Sequence, residues 1–216
     1  MPSISADDAA AWDRAYTGQR QAPWDIGRPQ PVFVSLADAG EIGSPVLDSG
    51  CGSGENALML ADRGLQVVGV DVAPTAIAAA RRKAAERGLS AEFLAGDVLG
   101  LAQVTGSAGQ PRFASVIDSG CFHVFDDAER AQYVESLAAV VRPGGVVHVL
   151  CFSDQVPGTL GPRRVSKAEL HAAFADGWTV ERIEAAAFEV NPDFALGRPH
   201  AWLARITRGE GGAVEP

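Results

Sequence analysis

Short apolar runs alternate along the chain with segments in which apolar residues recur at helical spacing. The runs predict strands at 46–48, 66–71, 91–95, 113–118, 146–152, 178–190 and 201–206. The helical spacing predicts helices at 7–18, 32–39, 57–63, 74–87, 127–141 and 166–174. Near-continuous apolar strands are typical of a parallel sheet that is buried on both faces. The pattern therefore predicts an α/β fold with one doubly wound, mostly parallel sheet of seven strands. Its last strand is antiparallel, and helices cover both faces.

The first strand leads into a loop in which glycine stands at every second position. Asp48 is followed by Gly50, Cys51, Gly52 and Gly54. Glycine allows positive φ and a close approach of the backbone to a ligand, and the next helix presents free N–H groups at its start. The spacing differs from the G-x-G-x-x-G pattern of dehydrogenases. The segment predicts a nucleotide-type site, and a glycine-rich turn without a ligand is the alternative.

Acidic residues follow the next two strands at the same predicted edge of the sheet. Asp71 ends the second strand beside Val72, and Asp97 follows the third strand beside Val98. Open α/β sheets bind ligands at this edge. We expect Asp71 to accept hydrogen bonds from two ribose hydroxyls and Asp97 to accept from an adenine amino group. A helix cap or a surface acid is the alternative for Asp71, and a turn-forming role is the alternative for Asp97.

A segment after the fourth strand carries the candidate catalytic groups. Asp118 ends this strand, and Cys121, Phe122 and His123 follow it. An imidazole at this edge is a candidate base, and Asp118 is a candidate carboxylate to orient it. A packed or hydrogen-bonded pocket residue is the alternative for His123. Cys121 lacks an obvious activating partner for a nucleophilic role, and no residues have the spacing of metal ligands.

The segment before the first strand is predicted to form a helical lid at about 5–40. Residues 23–31 contain three prolines, which exclude a helix or a central strand there. Trp12 and Tyr16 share one face of the first predicted helix, and Trp24 lies in the proline-rich loop. These aromatic residues either cover a ligand or pack against the domain.

The composition sets limits on the class of protein. The chain has 216 residues, 47% of them hydrophobic, and a net charge of −9. We expect one domain at 1–208 and a disordered tail at 209–216. The acidic balance argues against nucleic acid or an anionic membrane as partner, and no signal peptide or membrane span is predicted. The three cysteines favour the reducing cytoplasm. The expected assembly is a monomer or homodimer.

The glycine pattern, the two strand-end acids and the Arg-Pro-Gly-Gly at 142–145 resemble the class I S-adenosylmethionine (SAM) methyltransferases. The resemblance implies a Rossmann-like fold, SAM as cofactor and S-adenosylhomocysteine (SAH) as product. The expected acceptor is a small apolar molecule with a thiol, a phenolic oxygen or a heterocyclic nitrogen. A non-catalytic SAM-binding protein is one alternative, and an NAD(P)-dependent oxidoreductase is another.

A narrower resemblance, to the thiopurine-methyltransferase-like group, is carried by segments 12–13, 23–31 and 118–125. It implies that Trp24 lies near the cofactor and Arg28 near the acceptor. The predicted cofactor set is Trp24, Asp48, Gly50, Cys51, Gly52, Gly54, Asp71, Val72, Asp97, Val98 and Asp118. The predicted acceptor pocket is Trp12, Tyr16, Arg28, Cys121, Phe122 and His123.

Overall fold

The computed structural model describes residues 6–18, 22–107, 109–110, 112–159, 161–192 and 197–210. The helices are α1 (Ala6–Thr17), α2 (Pro31–Asp38), α3 (Glu55–Asp62), α4 (Pro74–Arg87), α5 (Leu101–Val104), α6 (Asp127–Val140) and α7 (Lys167–Ala173). The strands are β1 (Val46–Ser49), β2 (Val67–Asp71), β3 (Glu92–Ala95), β4 (Phe113–Ser119), β5 (Val141–Phe152), β6 (Trp178–Ala187) and β7 (His200–Arg208). Short 3₁₀ turns lie at Val98–Gly100 and Phe122–Val124.

The seven strands form one sheet in the order β3-β2-β1-β4-β5-β7-β6. β1 to β5 pair in parallel, and β7 is antiparallel to both of its neighbours. This confirms the predicted mixed sheet. The chain builds outwards from β1 to β3 on one side and from β4 on the other. The carboxyl ends of β1 and β4 therefore form the switch point at which such sheets bind ligands.

Apolar side chains fill a layer on each face of the sheet. On one face, strand residues such as Leu47 and Val116 pack with α6 residues such as Leu137. On the other face, Val46 and Ile117 pack with residues of α2, α3 and α4. The alternation along β1 and β4 sends successive side chains to opposite faces, so both layers anchor the same strand ends.

Three predicted boundaries differ from the structure. Residues 142–145, predicted as a turn, lie within β5, where the pairing with β4 shifts register between Phe113 and Ser115. β6 ends at Ala187, short of residue 190, because the following residues leave the sheet to contact the loop at 22–30. Part of the predicted disordered tail, residues 211–216, lies outside the described residues. Gly209 is ordered, and its N–H donates to the carbonyl of Gly177.

No helix in the described ranges combines the length and the apolar character that crossing a membrane requires.

Candidate functional site

A cleft of about 260 Å³ opens along the carboxyl ends of the parallel strands. Its floor comes from the loops after β1 to β4, and its cover comes from α1, from loop 22–30 and from residues that follow β6. The predicted residues that line it are Trp12, Tyr16, Trp24, Arg28, Gly50, Cys51, Gly52, Gly54, Asp71, Val72, Asp97, Val98, Cys121 and His123. The strand order thus brings together segments more than 100 residues apart in sequence.

The glycine loop after β1 needs glycine for two separate reasons. Gly52 has φ of 52°, and a Cβ on it would lie 2.7 Å from the Tyr16 hydroxyl. Gly54 has φ of 88°, and a Cβ there would lie 2.8 Å from the Cβ of Ala80. The left-handed backbone and the close neighbours both exclude a side chain. The loop therefore keeps its backbone open to the cleft on one side and packs tightly on the other.

Asp71 joins the end of β2 to the glycine loop. Its Oδ2 accepts from the Gly52 N–H at 2.8 Å, and its Oδ1 accepts from the Ala73 N–H at 2.9 Å. Burial raises the pKa of this carboxyl above its ordinary value, and the hydrogen bonds from the two backbone N–H groups limit the rise. Each oxygen keeps one lone pair, and the residue lines the cleft. This geometry suits a ligand that presents hydroxyl donors.

Asp97 has the turn-forming role that the sequence offered as the alternative, and it also lies at the cleft. Its Oδ1 accepts from the Leu99 N–H at 2.9 Å and so caps the 3₁₀ turn that follows β3. Asp97 and the neighbouring Val98 also line the cleft. The cap fixes the side chain at the third strand end, where an adenine ring is expected.

Asp48 and Asp118 do not belong to the described lining of the cleft, which corrects their prediction as ligand-contacting residues. Both are fully buried beneath it. The oxygens of Asp48 have no described partner in normal hydrogen-bond geometry, and burial raises the pKa of this carboxyl to about 8. Burial raises the pKa of Asp118 to about 7, although it accepts from the Cys121 N–H at 2.8 Å and the Tyr133 hydroxyl at 2.9 Å. Asp118 therefore holds the turn after β4.

His123 lines the cleft, but the predicted pairing with Asp118 is wrong. The Nδ1 atom accepts from the Phe152 N–H at 2.8 Å, and the ring packs against Phe152 and Phe188 with centroids 4.8 and 5.6 Å away. Burial, and next the positive charges of Arg130 and Arg164, lower the pKa of His123 to about 3. A ring with this pKa is neutral and a weak base. The structure thus favours the alternative of a hydrogen-bonded pocket residue.

Phe122 and Cys121 differ in their relation to the cleft. Phe122 is fully buried and stacks on Phe174 with centroids 5.8 Å apart, so its assignment to the acceptor pocket is wrong. In the tight turn after β4, successive side chains point to opposite sides. Cys121 lines the cleft, where burial and then Asp118 raise the pKa of its thiol well above the ordinary value. It is a neutral thiol with no nucleophilic character.

Three aromatic residues before β1 cover the cleft and also pack on one another. The Trp24 Nε1–H donates to the Tyr16 hydroxyl at 2.9 Å, and the Trp12 and Trp24 rings meet edge to face at 5.6 Å. Asp13 fixes helix α1 to the start of α4, because its Oδ1 accepts from the Thr75 N–H at 2.8 Å. The packing and covering roles that the sequence offered as alternatives therefore coexist.

A second cover segment was missed by the sequence reasoning. The Gln30 side chain donates to the Glu189 carbonyl at 2.8 Å and accepts from the Glu189 N–H at 2.9 Å. Asn191 N–H donates to the Pro23 carbonyl at 2.8 Å. These bonds place Phe188 in the wall of the cleft. Phe188 lies in a predicted strand. Nothing in the sequence around it indicates that the next residue, Glu189, bonds to Gln30, which lies 159 positions earlier.

Arg28 also belongs to this contact between the two cover segments. Its Nη2 donates to Glu189 Oε2 at 2.8 Å at the rim of the cleft, where the Arg28 side chain is 61% exposed. This ion pair is exposed to solvent and contributes little to stability. Within the described ranges, no group of three or more His, Cys, Asp or Glu side chains has an arrangement that could hold a metal ion.

Comparison with known proteins adds a family match and close relatives. A family described as a methyltransferase domain matches residues 46–145. The 2-heptyl-1-hydroxyquinolin-4(1H)-one methyltransferase of Mycobacteroides abscessus is 40% identical over 173 residues, which cover 79% of this chain and 74% of that protein. The probable thiol methyltransferase 2 of Arabidopsis thaliana is 25% identical over 169 residues, covering 77% and 72%.

A solved structure has the same fold over nearly the whole chain. It comes from work on the conversion of a disulfide bond into a thioacetal group during echinomycin biosynthesis. The two chains superpose with a TM-score of 0.85 at 38% identity, over 95% of this chain and 94% of the other.

Proposed function

The chain belongs to the class I SAM-dependent methyltransferases, and we propose that it methylates a small, flat, apolar acceptor at the aromatic end of its cleft. Membership of this family makes the protein an enzyme with SAM as its cofactor. The two alternatives, a dehydrogenase and a non-catalytic binding protein, are thereby set aside. The narrower kinship with the thiopurine-methyltransferase-like group is part of the proposal.

The residues around the glycine loop fit SAM. Gly52 and Gly54 both line the cleft and carry no side chain, so the backbone there can approach the methionine part of SAM. Asp71 keeps two lone pairs for the ribose hydroxyls, and Asp97 with Val98 would hold the adenine. SAM carries a net positive charge, and these carboxylates give this end of the cleft the complementary sign.

The observation that carries the acceptor proposal is the aromatic wall at the other end of the cleft. Phe152, Phe188 and His123 pack against one another with centroids 4.8 to 5.6 Å apart, and Ile26 and Val190 complete the wall. A flat ring fits such surroundings through offset or edge contacts. Relatives named for a hydroxyquinolinone and for thiols support an acceptor of this class.

The chemical contribution of the protein is mainly positional. SAM supplies a methyl group that is already activated on a sulfonium. The chain must hold the acceptor atom in line with the methyl–sulfur bond and exclude water. Held geometry of this kind can replace roughly 7–11 kcal/mol of the barrier. We assign the exclusion of water to the lid, about 5–40, in which Trp12, Tyr16 and Trp24 cover the cleft.

The proposal is tested by SAH release from SAM with a panel of thiols, acidic phenols and hydroxyquinolinones. We expect turnover with flat acceptors. Phe188→Ala should raise KM for the acceptor by about 10- to 100-fold, because a Phe truncated in a packed site loses 3–5 kcal/mol at most and part of that loss falls on folding. The affinity of the variant for SAH is the internal control and should stay unchanged. If the protein binds SAH but turns over no acceptor in the panel, the proposed class of acceptor is contradicted.

Localisation and assembly complete the proposal. All three cysteines are free thiols, which supports a reducing compartment such as the cytoplasm. The acidic charge supports a small molecule rather than nucleic acid or a membrane surface as partner. The assembly as a monomer or homodimer and the domain bounds at 1–208 stay predictions.

A further inference from the structure

The ring of His123 is held in one tautomer. The Phe152 N–H donates to Nδ1 at 2.8 Å, so Nδ1 is the acceptor and the ring proton lies on Nε2. The structure gives Nε2 no hydrogen-bond partner within the described chain. The His123 side chain lines the cleft and is 5% exposed. It therefore offers the cleft a single N–H donor.

Gly120 keeps the approach to this donor open. The residue has φ of 87°, and a Cβ added to it would lie 3.2 Å from Nε2. The left-handed backbone and this distance together keep a side chain away from the nitrogen. Phe152 and Phe188 enclose the rest of the ring. A ligand atom can reach Nε2–H from the cleft, and the surroundings of the ring are otherwise apolar.

The cleft offers no base at its His123 end among the residues that the structure describes. Besides His123, the polar lining residues near this end are Ser119, Cys121, Arg28 and Gln30. The Cys121 thiol stays protonated, and neither a guanidinium nor an amide accepts a proton as a base. Of the carboxylates that line the cleft, Glu55, Asp71 and Asp97 belong to segments around the glycine loop and the ends of β2 and β3. The fourth, Asp25 of loop 22–30, accepts from the Ser53 hydroxyl of the glycine loop at 2.7 Å. A proton on the acceptor would thus have no nearby group to receive it.

Two arginines place positive charge near His123. Arg130 from α6 and Arg164 from the segment after β5 both act on His123 through their charges. Arg130 is buried and shares Glu169 of α7 with Arg163, while Arg164 lies over the Phe152 ring at 5.9 Å from its centroid. Asp118, on the same turn as His123, is held by backbone N–H groups and Tyr133. Positive charge therefore lies near His123, whereas the carboxylates that line the cleft lie towards the glycine loop.

We propose, resting on methyl transfer as the function, that this pocket selects acceptors which arrive as ring-conjugated anions, with His123 donating its Nε2–H to the delocalised charge. The substrate class is aromatic hydroxyl or thiol compounds that ionise near neutral pH. The acceptor anion attacks the methyl carbon, a C–O or C–S bond forms, and the methyl–sulfur bond breaks with its electron pair passing to sulfur. An anion and a cation become two neutral products, and no proton moves to the protein.

The first test needs only the wild-type enzyme. The pH dependence of kcat/KM is measured with thiophenol and with 4-nitrothiophenol, whose thiol is more acidic. The rising limb should follow the pKa of each acceptor, so it moves to lower pH for the nitro compound. A rising limb at one fixed pH for both acceptors would reveal an ionising group of the enzyme and overturn the proposal.

The second test reads ionisation without turnover. 4-Nitrothiophenol is titrated in the complex with SAH, and its coloured thiolate is followed by absorbance. Wild type should lower the apparent pKa of the bound acceptor by about one unit, whereas His123→Phe should abolish most of this shift and weaken acceptor binding about 10- to 100-fold. His123→Gln, which keeps an N–H donor, should retain part of the shift. The exposed His171→Phe is the matched control and should behave as wild type.

The outcomes separate this proposal from the function on which it rests. If SAH binds and thiols are methylated, but His123→Phe keeps the full pKa shift, the donor role is wrong and methyl transfer stands. If SAH does not bind to the wild type, methyl transfer itself fails and this proposal fails with it. Melting temperatures of the His123 variants test whether each is folded, and the wild-type pH series decides the question even where one is not.

Discussion

Asp71→Asn is the substitution that most directly tests the cofactor end of the cleft. The wild-type carboxylate accepts two backbone N–H bonds, from Gly52 at 2.8 Å and from Ala73 at 2.9 Å. An asparagine of the same shape has only one accepting oxygen, and its amide nitrogen would face the other N–H group donor to donor. The variant therefore loses one loop contact and one acceptor for ribose.

The two losses can be given separate magnitudes. A buried donor left without a partner costs about 1–3 kcal/mol of folding stability. For a chain of this size, each kcal/mol lowers the melting temperature by about 2–4 °C. A hydrogen bond from ribose to a charged acceptor contributes about 1.5–3 kcal/mol, so the affinity for SAH should fall about 10- to 150-fold.

Calorimetric titration with SAH and thermal unfolding without ligand measure these two effects independently. Asp62→Asn, at an exposed position near the end of α3, is the matched control and should leave both quantities unchanged. If Asp71→Asn lowers the melting temperature but binds SAH within about threefold of wild type, Asp71 is a structural link of the glycine loop only. The assignment of the ribose to this residue would then be refuted.

Three further predictions concern neighbouring elements. Gly54→Ala should cost about 1–3 kcal/mol more stability in urea unfolding than Gly64→Ala. Both glycines have positive φ, but of the two only Gly54 lacks space for a Cβ. Equal losses of stability would contradict the packing argument. The pKa of Asp48 is raised from 3.8 to about 8, so the folded state binds this proton more tightly and its contribution to stability falls as pH rises from about 4 to about 8. Asp48→Asn should therefore flatten the decline by up to about 1.4 kcal/mol per pH unit, and an unchanged slope would exclude Asp48 as its source. Asp13→Ala removes the acceptor of the Thr75 N–H and should speed hydrogen exchange in α1 about fivefold, since a lost contact of this kind costs about 1 kcal/mol. Unchanged exchange would mean that the contact with Thr75 does not hold α1 in place.

The cofactor end of the site was predictable because its signals are local. A strand, a glycine loop and a helix follow one another within about 15 residues, and the strand order of doubly wound sheets then fixes where Asp71 and Asp97 lie. Topology alone places these carboxylates at one edge. The same reasoning gives the antiparallel β7, since a hairpin at the end of a parallel sheet must reverse one strand.

The errors lie where the direction of one side chain decides the outcome. Asp118 and Phe122 are at the correct strand end, but both point into the protein, because the turn after β4 folds back on Asp118. Spacing in the sequence cannot show which residue of such a turn faces the ligand. The pairing of Gln30 with Glu189 was equally hidden, since it depends on the bend after β6 and on no repeated pattern.

The bond between Gln30 and Glu189 also bears on how the protein is made. The glycine loop and its acids lie in the first half of the chain, whereas the wall of the acceptor pocket closes only after Phe188 has been added. At a synthesis rate of about 5–20 residues per second, the stretch between the two partners takes roughly 8 to 30 s to appear. During that interval the aromatic residues of the pocket that precede Phe188 are not covered by the segment after β6. The acceptor pocket is therefore completed later in synthesis than the cofactor end of the cleft, and the sheet itself is completed only when β7 (His200–Arg208) follows.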